Sequence, residues 1–152
     1  MGELTGLLSG DGTRLITGEE STGLLRRVVE SQPLMRPGRF TVYLGRPDPS
    51  EVRAGQEELA RLLSSARRAV VVTPPTTPLP PQADRRDPGL GWLARIWFTA
   101  VLGPESAMAV VAEGGSGPRD RLWLVTEPAI VRRFVNAVEG ELARPDPELI
   151  AV

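Results

Sequence analysis

The hydrophobic pattern of this chain predicts an α/β fold: a single mixed sheet of about five strands with helices packed on it. Three observations carry that prediction. Two strand-like runs, Arg39 to Leu44 and Ala69 to Thr73, flank one amphipathic helical stretch, and connections that short are the mark of a parallel βαβ unit. Downstream, three more strand-like runs separated by two turns read as an antiparallel meander. A helical pattern follows the last of them at once. With 152 residues the chain has the length of one domain, and a domain of that size buries roughly 68–70% of its unfolded surface without needing staples.

The elements follow in order. Residues 1–20 form an N-terminal arm rich in Gly and Thr, whose short apolar pieces, Leu7-Leu8 and Leu15-Ile16, fit either a weak strand or a partly ordered arm. From Ser21 a single α/β domain runs to residue 143, and 144–152 is a tail. Leu24-Leu25 and Val28-Val29 put four apolar side chains on one helical face, and Pro33 ends that helix. In Arg39 to Leu44 the residues Phe40, Val42 and Leu44 share one side of a strand. Asp48-Pro49-Ser50-Glu51 is a helix start, with Asp as N-cap and Pro at the first helical position. The helix is expected to reach about Arg67, its stripe Val52, Leu59, Leu62, Leu63 and Ala66 facing the sheet. The continuous apolar run Ala69 to Thr73 is a strand of the buried, parallel type.

Residues 74–91 hold six of the fifteen prolines and read as an exposed, extended loop. Within it Pro78-Leu79-Pro80-Pro81 resembles a ligand for a Pro-binding groove, but so short a motif is more simply a stiff connector. Trp97 to Leu102 and Ala107 to Ala112 flank Gly103-Pro104-Glu105-Ser106 as a hairpin. Gly114 to Pro118 makes a second turn before Arg121 to Val125. The last helix starts near Thr126, runs through Ile130, Val131, Phe134, Val135, Val138 and Leu142, and stops before Pro145.

Composition removes much chemistry. The chain has no His and no Cys, and every basic residue is Arg. A Ser-His-Asp relay, a thiolate nucleophile or zinc site, a Schiff base and a P-loop lysine are therefore out of reach. Carboxylates, Arg, hydroxyls and Tyr43 remain, so the chain reads as a non-enzyme. A net charge of −1 and a pI near 5.6 argue against direct binding to nucleic acid or a membrane surface. No signal-peptide pattern and no run near the ~20 apolar residues of a bilayer span is present, so the expected location is the cytoplasm. Arg without Lys, with abundant Ala, Gly and Pro, is also what a GC-rich, actinobacterial-like genome produces.

The candidate site residues lie in the C-terminal half. Trp92, Trp97 and Trp123 are the largest apolar side chains, and with Arg95 or Arg121 they suit a flat anionic ligand. The same residue types suit a homodimer or partner interface, or plain core. Trp123 lies between Leu122 and Leu124 and so faces away from both. An exposed Trp-rich edge of the meander would favour a homodimer. Glu105, in the hairpin turn, joins these candidates. Glu105, Glu113, Asp120 and Glu127 sit at strand ends without the spacing of a known metal loop, so no metal site and no cofactor is expected. Gly114-Gly115-Ser116-Gly117 precedes a strand rather than a helix, which argues for a turn and against a phosphate cradle.

Leu93-Ala94-Arg95, Trp97, the run to Leu102-Gly103-Pro104, the small-residue strand Ala107 to Ala112 and the aromatic strand before an acidic helix start together resemble the DICT sensory domain, found with diguanylate cyclases and two-component systems. The helix ending in EELARLLSSARR before AVVV is similar to that family's lead into the same half. The resemblance covers residues 21–143, and its specific part is about 93–126. It implies a sensory or regulatory domain of bacterial signal transduction whose output, here on another chain, is a cyclase, kinase or transcription regulator. Where members often carry His after Gly-Pro, this chain has Glu105. Three classes stay open: a ligand-binding sensory domain, a pure protein-protein interaction or homodimerisation module, and a carboxylate- and Mg²⁺-dependent hydrolase or transferase.

Overall fold

The computed structural model describes residues 8, 10, 12–17, 38–54, 56–89, 91–104, 107–113 and 121–143. They build one mixed sheet of seven strands: β1 (Thr13–Thr17), β2 (Thr41–Gly45), β3 (Arg68–Val72), β4 (Asp84–Arg86), β5 (Ile96–Leu102), β6 (Ala107–Glu113) and β7 (Arg121–Val125). Across the sheet they stand in the order β1-β7-β6-β5-β2-β3-β4. β2, β3 and β4 run parallel, and every other pairing is antiparallel. The helices are α1 (Pro49–Ala54), α2 (Gln56–Ser65) and α3 (Pro128–Leu142), and a 3-10 turn spans Trp92–Arg95. Among the described residues no helix is long and apolar enough to cross a membrane.

The βαβ unit and the meander form as the pattern predicts. Asp48 caps α1, its Oδ1 accepting from Ser50 N at 2.9 Å. Helix is described on both sides of residue 55, which itself lies outside the described residues, and ends at Ser65, close to the expected Arg67. The sheet has more strands than the five expected. Thr13–Thr17, within the expected arm, pairs along the whole of β7. Asp84–Arg86, within the expected exposed loop, pairs parallel with β3, while Thr77 and Pro88 of that loop are buried and Leu79 packs on the core. The N-terminal helix around Leu24 to Val29, the turn at 114–118 and the tail 144–152 lie outside the described residues.

Alternation along the strands divides the core. On one face α3 lays Ile130, Val131, Phe134, Val135 and Val138 against Tyr43, Val70, Val72, Phe98, Ala109, Val111 and Val125. Small residues, Ala100, Ala107 and Ala109, line this face of β5 and β6, which lets the helix approach closely. Phe98 meets Phe134 edge to face, with centroids 5.2 Å apart, and a Cβ on neighbouring Gly45 would overlap the Phe98 ring. The opposite face carries two apolar patches. Val42, Leu44, Val71 and Val101 lie under Val52 and Leu59 of α1 and α2. Trp97, Met108, Val110, Ala112, Leu122 and Leu124 form the other patch, on β5, β6 and β7.

Candidate functional site

Between those two patches runs a polar seam at the carboxyl end of β2, where the sheet changes from parallel to antiparallel pairing. β2 has β3 on one side, running the same way, and β5 on the other, running against it.

Arg46 is the first residue past β2, and the register Gly45↔Phe98 sets it beside Trp97. Its guanidinium carbon stands 4.2 Å over the centre of a Trp97 ring. From Nη1 it donates to the carbonyls of Gly45 and Phe98, and from Nη2 to Thr99 Oγ1 at 2.8 Å. Trp97 and Thr99 alternate with the α3-facing Phe98 and are themselves only 5% and 4% exposed. The cation is thus fixed in direction by a rigid strand, and stacking on a desolvated indole is worth up to about 2 kcal/mol.

The neighbouring strand ends are locked to the same place. Arg46 N donates to Val72 O and Thr73 N to Arg86 O, extending the ladder by one residue beyond β2 and β3. Thr73 Oγ1 donates to Arg46 O at 2.9 Å and lies 2.9 Å from Thr77 Oγ1. Arg85 reaches across and donates to the carbonyls of Pro74, Pro75 and Thr77. Loss of backbone donors at the prolines leaves carbonyls in excess, and Arg85 satisfies three of them, holding the Pro-rich segment over the end of β3.

A second polar group lies on the α3 face. Tyr43 donates to Glu139 Oε1 at 2.7 Å. Burial first, then the hydrogen bond and the negative charge of Glu139, push the phenol pKa up to about 12. At the β4 edge Asp84 pairs with Arg68 at 2.9 Å and Arg86 at 3.2 Å. Hydrogen bonds from Arg68 and then Arg86 hold its carboxyl below the ordinary range. All three side chains are more than a third exposed, so these pairs contribute about 0–1 kcal/mol each.

The sequence candidates do not gather in one place. Trp97 faces the Arg46 seam, whereas Trp92 and Trp123 are half-buried against the α3 core. Arg95 is exposed at the end of the 3-10 turn, just before β5. Arg121 opens β7 opposite Thr17, and Glu105 lies outside the described residues. The meander edge is not open, because β1 covers β7. Arg46 and Thr99 were not legible as site residues. The one signal for Arg46 is its place after a strand and before the helix start Asp48-Pro49. Among the described residues no three carboxylates gather to hold a metal ion.

No protein-family model, curated protein or solved structure matches the chain.

Proposed function

We propose that this chain is a non-enzymatic sensory or regulatory domain of bacterial signal transduction, of the DICT type, that works in the cytoplasm. It binds a small anionic ligand at the carboxyl end of β2 and passes its state to an output domain. The observation that carries this reading is the Arg46 guanidinium, stacked on Trp97 and tied to Thr99 at the carboxyl end of β2. Tyr43 and Glu139 are engaged with each other, and Asp84 with two arginines.

The test is tryptophan emission titrated with a panel of nucleoside phosphates and di- and tricarboxylates, in the wild type and in Arg46→Met, which keeps an apolar stem over the indole. At least one panel member is expected to change the emission of the wild type and to leave that of Arg46→Met unchanged. Identical responses in both proteins would remove Arg46 from any binding site. Silence in both would favour the pure interaction module.

A further inference from the structure

The two edges of the sheet are built differently. β4, at one edge, is three residues long and wholly charged, Asp84-Arg85-Arg86, with Asp84 held by Arg68 and Arg86 and Arg85 folded back onto the Pro-rich segment. Short, charged edge strands turn away other strands. β1, at the other edge, is five residues long, and no described residue pairs with its outer side. At its centre Leu15 is 45% exposed, the one large hydrophobic so exposed among the residues whose burial is described.

The hydrogen bonds next to β1 fix which of its backbone groups point outward. Thr126 N donates to Gly12 O at 2.9 Å, one step beyond the register pair Thr13↔Val125. In an antiparallel ladder the residues that bond to one neighbour alternate. Gly12, Arg14 and Ile16 therefore bond to β7, while Thr13, Leu15 and Thr17 turn their N–H and C=O groups away from it. That outward set is symmetric about Leu15.

We infer that a second copy of this chain docks antiparallel on β1 and continues the sheet across a two-fold axis at Leu15. In that register Leu15 exchanges hydrogen bonds with the same residue of the other copy. Thr13 does so with Thr17, in both directions, for about six backbone bonds in all. The outward groups of one strand are then the complement of themselves, which is what an isologous interface needs. Leu15 gains a leucine directly opposite. A contact limited largely to one short strand sits at the weak end of specific interfaces, so the dimer forms in a concentration-dependent way. It is independent of the ligand-binding reading and stands whatever Arg46 binds.

Sedimentation velocity of the full chain over a concentration series, with amide hydrogen exchange at Leu15, tests this in the wild type, Leu15→Lys and Leu15→Pro. Proline there removes an N–H that β7 does not use, a place edge strands tolerate it. Lysine is the gentler variant should proline disturb folding. The wild type is expected to shift toward dimer as concentration rises, with the Leu15 amide gaining protection. Leu15→Lys should weaken association ~tenfold or more, as loss of a central contact does, at an unchanged melting temperature. A monomer at every concentration would overturn the proposal, as would a dimer that Leu15→Lys retains. So would a monomer whose Leu15 amide is already protected, since the edge would then be covered from within the chain.

Discussion

Tyr43 is the chain's single tyrosine, and with neither Cys nor Lys in the sequence it is the one side chain below Arg that ionises at alkaline pH. Its phenol, buried beside Glu139, has a folded pKa of about 12, against about 10 in an unfolded chain. The native state favours the neutral form, so the stability this group contributes is complete below the unfolded value and is lost as pH rises through the folded one. A spectroscopic titration of the phenolate is expected to give one transition displaced upward from the ordinary tyrosine range. Tyr43→Phe should abolish the alkaline loss and cost about 0.5–1.5 kcal/mol at neutral pH, the net worth of one hydrogen bond. A phenolate midpoint at the ordinary value would contradict the buried Tyr43–Glu139 pair. Nothing in the sequence tied Tyr43 to Glu139, because the pair spans 96 positions and depends on where α3 crosses the sheet. Arg46 was hidden for the same reason: its partners Trp97 and Thr99 come from a strand 51 to 53 positions away, and which strand lies beside β2 is a matter of topology rather than local pattern.

At the scale of elements, the strands and helices that bury a continuous or alternating apolar set were legible, and those held by backbone pairing alone were not. β2, β3, β5, β6 and α3 carry the large buried side chains and were all expected. β4 is a charged tripeptide with no apolar period, and only its pairing with β3 reveals it. Alternation assigned Trp123 to the face opposite Leu122 and Leu124 correctly. It could not relate Trp123 to Trp97, because their facing depends on the registers Trp97↔Ala112 and Val111↔Trp123. The junction of β2, β5 and α3 gives the sharpest test at this scale. Gly45 leaves room for the Phe98 ring, which in turn meets Phe134 edge-on. Gly45→Ala is expected to destabilise the fold by about 1–3 kcal/mol, the usual cost of overpacking a core, as read by chemical denaturation. A neutral substitution would mean that Phe98 moves freely, against its place in the α3 core.

For the whole molecule, the mixed sheet divides the work between its ends and edges. The parallel half supplies strand ends that converge on Arg46, Thr73 and Arg85, and the meander supplies Trp97 and Thr99 to meet them. Composition had already narrowed the chemistry to arginine, carboxylates and hydroxyls. Composition carries no information on which ligand meets them, since recognition is set by the spacing of groups drawn from distant parts of the chain. The proposed sensory reading rests on that convergence.

Native mass spectrometry of the freshly purified chain, beside Arg46→Met prepared in the same way, tests the central claim most directly. The account predicts a mass excess on the wild type that leaves on denaturation, belongs to a small anionic compound, and is absent from Arg46→Met. A clean, ligand-free mass for the wild type, with no response to the anion panel, would contradict it.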